Sequence, residues 1–176
     1  MTIASFNSAL DLGGAYDLSA PARNIATTIT LPGDVHGALL AAGLIPDPYF
    51  GENEKLVMWV NETAWTMERR FTASAADIDG YLTLTLSEVD CIATIFLNGE
   101  EVARTDNSFV RHDIDVTGKV REGENTLRID FDIAPDVARA RAEAHPFPIP
   151  FTYNYQTNGL KGIHMNFIRK AACHAG

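Results

Sequence analysis

The amino-acid sequence predicts an all-β fold, an antiparallel β-sandwich, and three observations within residues 90–131 support this prediction. The pair Asn98-Gly99 is a strong hairpin signal, because both turn positions require a positive φ that Asn and Gly tolerate. Residues alternate with a period of two on both sides of this turn and again over 109–116, with one face largely apolar. A second turn leads into the alternating run 126–131. Four short strands joined by tight turns are typical of a sandwich.

The elements before this block include a strand, a short helix and a loop. Residues 25–31 form an apolar run that predicts a strand. Asp34 can then accept a hydrogen bond from the first turn of a helix over 35–42. The prolines of 46–51 remove backbone donors and restrict the residues before them, so we expect an ordered loop there.

Further elements are predicted between this loop and the C-terminus. Residues 65–71 and 81–86 alternate large with polar side chains, and the second run places leucines inward and threonines outward. The Ala- and Arg-rich segment 136–144 predicts a surface helix, which makes at most two short helices in the chain. We expect a long loop region over 145–176, with a strand around 164–168.

Length and composition indicate one globular domain over 1–176, with a flexible segment at 1–10. The chain has 46% apolar and 21% charged residues, and no apolar run reaches the roughly 18 residues of a membrane helix. A net charge of −9 argues against nucleic acid or an anionic membrane as partner.

The sequence has two cysteines, Cys91 and Cys173. The first begins an apolar strand and is expected to be a small buried residue, although a disulfide between the two stays open. The N-terminal residues lack a basic start followed by an apolar run, so we expect no signal peptide. Both observations favour a reducing compartment, the cytoplasm.

Several segments resemble the N-terminal domain of family-2 glycoside hydrolases. Residues 96–100, 115–118 and 122–127 look like the sugar-binding sandwich of that family, and 65–71 look like its Trp-containing strand. The resemblance implies a jelly-roll, galactose-binding-domain-like sandwich. These segments alone do not separate mannosidases from galactosidases or glucuronidases.

Two other segments are similar to the β-mannosidase branch of the family. They are 32–51, with its Pro-Asp-Pro-Tyr-Phe-Gly run, and 166–176. In β-mannosidases the second segment continues into a Trp-Asp-Trp-Gly stretch that reaches the bound sugar, and a catalytic (β/α)₈ barrel follows. A barrel needs about 250 residues. We therefore expect this chain to be a fragment that ends before the barrel.

The resemblance implies a non-catalytic domain that supports the barrel and forms one wall of its cleft. The full-length enzyme would hydrolyse terminal, non-reducing β-D-mannose residues with retention of configuration, without a cofactor. The expected partners are the remaining domains and, in the full-length protein, β-mannosides. The alternatives are a free-standing carbohydrate-binding module and the N-terminal domain of a related β-galactosidase or β-glucuronidase.

No residue of the chain is expected to be catalytic, because retention requires two rigidly held carboxyl groups about 5 Å apart. Three acidic pairs are candidates, and all lie in or beside turns, where charge is usually solvated. They are Glu52 with Glu54, Glu100 with Glu101, and Glu122 with Glu124. A metal site is not expected either, because His164, Cys173 and His174 lack a second pair of ligands at short spacing.

The resemblance places His174 near the active-site loop, so we expect it to bind substrate in the parent enzyme. His36 is expected to be a hydrogen-bonded packing residue. Arg169 and Lys170 could pair with carboxylates that shape the same region or form simple surface ion pairs.

Aromatic side chains offer another way to bind a sugar, by stacking on a pyranose ring. The candidates are Trp59, Trp65, Tyr49, Phe50, Tyr153 and Tyr155. Trp65 belongs to an alternating strand and is expected in the core. Tyr153 and Tyr155 are expected to dock on a neighbouring domain, within an exposed apolar patch near 145–176.

Overall fold

The structure, a computed structural model, describes residues 1–5, 8–147 and 167–170. Within them lie ten strands, three α-helices, and 3₁₀ turns at Pro21–Arg23 and Met58–Glu62. The strands are β1 Thr2–Ala4, β2 Ala9–Asp11, β3 Gly14–Ala20, β4 Ile25–Leu31, β5 Trp65–Ala73, β6 Thr83–Leu86, β7 Ala93–Leu97, β8 Glu100–Thr105, β9 His112–Asp115 and β10 Gly123–Phe131. The helices are α1 Val35–Ala41, α2 Glu54–Val57 and α3 Ala134–Ala144. Among the described residues, no helix combines the length and hydropathy that a membrane span requires.

The strands form two antiparallel sheets that face each other across one apolar core. The smaller sheet has the order β2-β1-β6-β9, and the larger has the order β4-β3-β5-β10-β7-β8. Alternate residues of each strand point inward, so that Leu84, Ile95, Leu97 and Leu127 are completely buried. The predicted all-β antiparallel sandwich is confirmed. Within or beside the segment 1–10, which is expected to be flexible, the described residues 2–4 and 9–11 form β1 and β2 of the smaller sheet.

The predicted hairpin lies between β7 and β8. Asn98 and Gly99 have φ values of 53° and 83°, so both turn positions use the left-handed region that their residue types tolerate. The run before β9 differs from the prediction. The strand covers only His112–Asp115, and Phe109 is 69% exposed. The backbone N–H of Phe109 donates to the Asn107 side chain, 2.9 Å away, which turns the chain before the strand can begin.

Helices occur where the sequence predicts them, and one further helical segment is present. Asp34 caps α1, since its carboxylate accepts from the Gly37 N–H at 3.0 Å. The unpredicted segment is α2 together with the turn Met58–Glu62, whose pieces are too short to show a helical period. α3 packs on that turn. Helical elements therefore contact one another at one side of the sandwich.

Tyr16 lies in the core and packs near the N-terminus, and its hydroxyl has a strongly raised pKa. Its hydroxyl donates to the Leu12 carbonyl at 2.7 Å, and its ring is almost completely buried. The pKa is raised to about 12 chiefly by burial; the Arg69 guanidinium over the ring opposes this shift, and Asp11 adds a smaller increase.

Tyr16→Phe is expected to change the alkaline unfolding of the domain. Since the pKa of Tyr16 rises from 10.0 to about 12 on folding, its contribution to stability is complete below pH 10 and is lost as the pH rises towards 12. The variant should therefore flatten this decline, which for one group reaches about 1.4 kcal/mol per pH unit. Urea unfolding at several pH values measures it, with the exposed Tyr81→Phe as control. An unchanged slope in the Tyr16 variant would contradict the assignment.

Candidate functional site

The three acidic pairs lie at the surface, and at least one member of each lies within ion-pair distance of a basic side chain. Glu52 accepts from Lys55 at 2.6 Å, and Glu100 pairs with Lys119. Arg104 donates two hydrogen bonds to Glu101, at 2.9 and 3.0 Å. Hydrogen bonding from Arg104 lowers the pKa of the Glu101 carboxyl, whereas a general acid needs a raised pKa. Glu52, Glu100 and Glu101 therefore act as members of surface ion pairs.

The described residues contain no cluster of three or more His, Cys, Asp or Glu side chains that could hold a metal ion. His164, Cys173 and His174 lie outside the described residues, as do Tyr153 and Tyr155. Cys91 is a buried free thiol, and burial raises its pKa, an effect that Asp90 reinforces. The expectation of a small buried residue is confirmed for Cys91.

Residues 167–170, which we call the C-terminal strap, lie against the sandwich. The Arg169 carbonyl accepts from the backbone N–H and the hydroxyl of Ser108, at 2.7 and 3.0 Å. Ile168 is 4% exposed and packs with Cys91, Ile92 and Ala138 in a second, smaller apolar cluster. Backbone bonds and one buried side chain thus fix the strap.

Charged side chains hold both ends of the strap. Arg141 donates to the Phe167 carbonyl at 3.0 Å and to Asp106 at 3.2 Å, which ties α3 to the start of the strap. Lys170 pairs with Asp90 at its end, and neither side chain of this pair is fully exposed. Lys170 thus has a carboxylate partner, Asp90, and this ion pair fixes the end of the strap.

His36, near the start of α1, lies close enough to Lys170 at the end of the strap to be affected by its charge. It is half-buried, and its pKa is lowered first by burial and then by the positive charge of Lys170, while Asp34 opposes the shift. His36 in segment 32–51 and Lys170 in segment 166–176 therefore lie near each other on the sandwich. His174 follows the strap after three residues along the chain.

The aromatic candidates divide into buried and exposed groups. Trp65 is in the core as expected, and its indole N–H donates to the Val60 carbonyl at 3.0 Å. Trp59 lies between the Trp65 ring, 6.3 Å away, and the Arg23 guanidinium, 5.3 Å away, which removes it from sugar stacking. Tyr49 and Phe50 point into solvent from the loop after α1.

An open depression of about 460 Å³ lies on the outer face of the larger sheet, between β3, β4 and β5. Its lining includes Asp17, Thr28, Glu68 and Arg70, and Asp17 stands opposite Glu68 in the strand register. Its one aromatic residue, Tyr16, is buried on the inner face. The depression therefore offers charge without a stacking surface. No sequence pattern marks it, because most of its residues are the outward positions of ordinary alternating strands.

Comparisons with known proteins agree with this architecture. A family model described as glycosyl hydrolase 2 galactose-binding domain-like matches residues 16–176. A probable β-mannosidase of Caenorhabditis elegans is 32% identical over 173 residues, which are 97% of this chain and 19% of that protein. β-Mannosidase B of Emericella nidulans is 35% identical over 148 residues, 84% of this chain and 17% of that protein.

A solved structure shares the fold as well. The β-D-mannosidase of Dictyoglomus thermophilum superposes with a TM-score of 0.76 at 31% identity, covering 84% of this chain and 18% of that one. The chain thus spans less than a fifth of the length of these relatives. Since the family match extends over most of its residues, the chain belongs to the galactose-binding-like domain family of the family-2 glycoside hydrolases.

Proposed function

We propose that this chain is the non-catalytic N-terminal domain of a retaining β-mannosidase, which supports the catalytic barrel and forms one wall of its cleft. The names of the relatives support this assignment, and so does the small share of their length that the chain spans. The partners would be the other domains of the enzyme, with β-mannosides as substrates and no cofactor. The domain itself would have no activity.

One observation carries the proposal: Lys170 at the end of the strap and His36 near the start of α1, which belong to the two segments with a β-mannosidase-like sequence, lie near each other. Ile168, Arg141 and the Lys170–Asp90 pair fix the chain there, just before the segment that contains His174. A rigid scaffold that presents a binding loop is a common way to build a cleft. His174 would then bind substrate.

Activity measurements on two lengths of the protein test this proposal. The 176 residues alone should not hydrolyse p-nitrophenyl β-D-mannoside, whereas the product of the complete reading frame should. The surface ion pairs of the described acids support this expectation, because a retaining enzyme needs two carboxyl groups about 5 Å apart in a cleft. Turnover by the 176 residues would refute it, and so would a stop codon directly after Gly176.

A free-standing carbohydrate-binding module is the second candidate, and the exposed aromatic pair Tyr49 and Phe50 is the feature that favours it. Calorimetry with mannose and manno-oligosaccharides separates the two. Binding by the 176 residues tighter than about 1 mM, or roughly −4 kcal/mol, would favour the module. Hydrolysis of β-galactosides or β-glucuronides by the longer protein would identify a different branch of the family.

We also propose a cytoplasmic location. The buried free thiol of Cys91 supports a reducing compartment, since a disulfide is not what holds this part of the sandwich together. The net charge of −9 favours partners other than nucleic acid and anionic membranes.

A further inference from the structure

Exposed apolar side chains are concentrated in one short part of the chain. Nine large hydrophobic side chains of the described residues are exposed, and five of them lie within residues 40–56. They are Leu40, Leu44, Tyr49, Phe50 and Leu56, and we call them the 40–56 surface. Tyr49 is 92% exposed, Phe50 75% and Leu56 63%. Scattered single apolar residues are normal on a protein surface, but such a concentration indicates an interaction site.

The backbone beneath the 40–56 surface has a defined conformation. The Asp47 carboxylate accepts from the Tyr49 N–H at 3.0 Å, and the Asn53 amide donates to the Asp47 carbonyl at 3.0 Å. Leu39 and Ile45 are buried on either side of the helix end and hold the segment against the core. The aromatic side chains are thus presented by a loop that is already ordered. A partner that binds them would not have to supply the cost of ordering the loop.

The charges around the 40–56 surface limit what can cover it. Asp47, Glu52 and Glu54 flank the aromatic pair along the chain, and Lys55, the single basic residue between 46 and 56, is already paired with Glu52. A second copy would bring the same acidic rim and the same net charge of −9, so like charges would oppose self-association. A covering partner should offer an apolar cleft with a basic rim.

The position of the 40–56 surface connects it with the candidate site. Leu40 and His36 belong to the same helix, α1, and four residues of helix span about 6 Å. His36 lies within the electrostatic reach of Lys170 at the end of the strap. One end of the 40–56 surface, Leu40, therefore lies about one helical turn from the residue that approaches Lys170.

We infer that the 40–56 surface docks on the part of the protein that follows residue 176, through an apolar cleft with a basic rim. This inference rests on the proposed function and adds which surface of the domain makes the contact. More than four-fifths of each matched relative lies outside the region that this chain matches. In a protein as long as these relatives, the larger part that follows residue 176 covers the 40–56 surface. Tyr49 and Phe50 are the central anchors of this interface.

Hydroxyl-radical footprinting with mass spectrometry tests the inference by comparing the 176 residues with the product of the complete reading frame. Tyr49 and Phe50 should be oxidised readily in the 176 residues and at least fivefold more slowly in the longer protein. Tyr81, which is 64% exposed next to β6 of the smaller sheet, is the internal control and should react equally in both.

The outcomes separate docking from its rivals. Equal oxidation of Tyr49 and Phe50 in both lengths would overturn the inference. If protection of Tyr49 and Phe50 in the 176 residues grows with protein concentration, a second copy covers the surface. If manno-oligosaccharides protect them, the surface binds sugar. Either result would also overturn the inference.

The outcomes also separate docking from the enzymatic proposal. A longer protein that protects the surface but lacks β-mannosidase activity would refute the function and leave docking intact. An active β-mannosidase in which Tyr49 and Phe50 are not protected would support the proposed function and refute docking.

A pair of variants provides a second measurement. Phe50→Ser and Tyr81→Ser should both leave the urea midpoint of the 176 residues unchanged, since both side chains are exposed. In the longer protein, Phe50→Ser alone should increase oxidation of Tyr49 at least threefold, because it removes one anchor of the interface. No increase in Tyr49 oxidation would count against docking through this pair.

Discussion

Asn125→Ala is expected to lower the free energy of unfolding by about 3 kcal/mol, a large share of the stability of a small domain. Asn125 is completely buried in β10. Its carbonyl oxygen accepts from the Arg121 N–H at 3.0 Å and from the Asn98 amide at 2.8 Å. Its amide donates to the carbonyls of Arg121 and Gly123, at 2.7 and 3.0 Å. Truncation leaves several of these groups without partners, and each unsatisfied buried group costs about 1–3 kcal/mol.

Equilibrium urea unfolding measures this effect, with Asn53→Ala as a matched control. Asn53 also donates its amide to a backbone carbonyl, at 3.0 Å, but in an exposed loop where water can replace it. The control should therefore stay within about 0.5 kcal/mol of the parent chain. Equal losses of unfolding free energy in the two variants would contradict the prediction that the buried bonds of Asn125, which join the hairpin turn at Asn98 to β10, stabilise the domain.

The case of Asn125 shows which parts of the fold the sequence can predict. The Asn98-Gly99 turn, the Asp34 cap and the inward leucines of 81–86 are local patterns, and all three appear in the structure. The side-chain bond from Asn98 to Asn125 joins residues 27 positions apart. No periodicity encodes such a pair, because it depends on how the strands are arranged in the sheet.

The alternating pattern at 109–116 predicts a longer strand than the structure contains, for a related reason. The pattern there is that of a strand, but residues 107 and 108 are engaged by the strap, in a bridge from Asn107 to Arg169 and a hydrogen bond from Ser108 to the Arg169 carbonyl. Tertiary contacts with a distant segment thus shorten β9 at its start. A single sequence carries no signal for a contact over 61 residues.

The sequence identifies only part of the candidate site. Segments 32–51 and 166–176 stood out through their resemblance to β-mannosidases, yet nothing in the sequence placed them together. The Lys170–Asp90 pair joins positions 80 residues apart, and His36 approaches Lys170 through the start of α1. The exposed apolar patch was expected near 145–176, where the described residues include the exposed Phe147. The larger concentration lies at 40–56, where the sequence predicts the end of a helix over 35–42 and an ordered loop over 46–51.

Ile168→Ala is expected to detach the strap from the sandwich while leaving the main core folded. Ile168 is 4% exposed and is the one strap residue inside the cluster of Cys91, Ile92 and Ala138. Loss of a buried isoleucine costs about 2–5 kcal/mol, and at the low end of that range the opened fraction of the strap rises about 30-fold. Because the Arg169 carbonyl is bonded to Ser108 when the strap is closed, a protease can cut there only after the strap opens.

Limited trypsin digestion of the 176 residues, with mass spectrometry of the cut after Arg169, measures this opening, because cleavage follows the open population when reclosing is fast. Leu56→Ala is the matched control, since it removes a similar side chain from an exposed position. We expect cleavage at least tenfold faster for Ile168→Ala and unchanged for the control. In the longer enzyme the same variant should raise KM for a β-mannoside, because the strap holds the segment that leads to His174. Unchanged cleavage would show that the polar bonds of Arg141, Ser108 and Lys170 suffice to hold the strap.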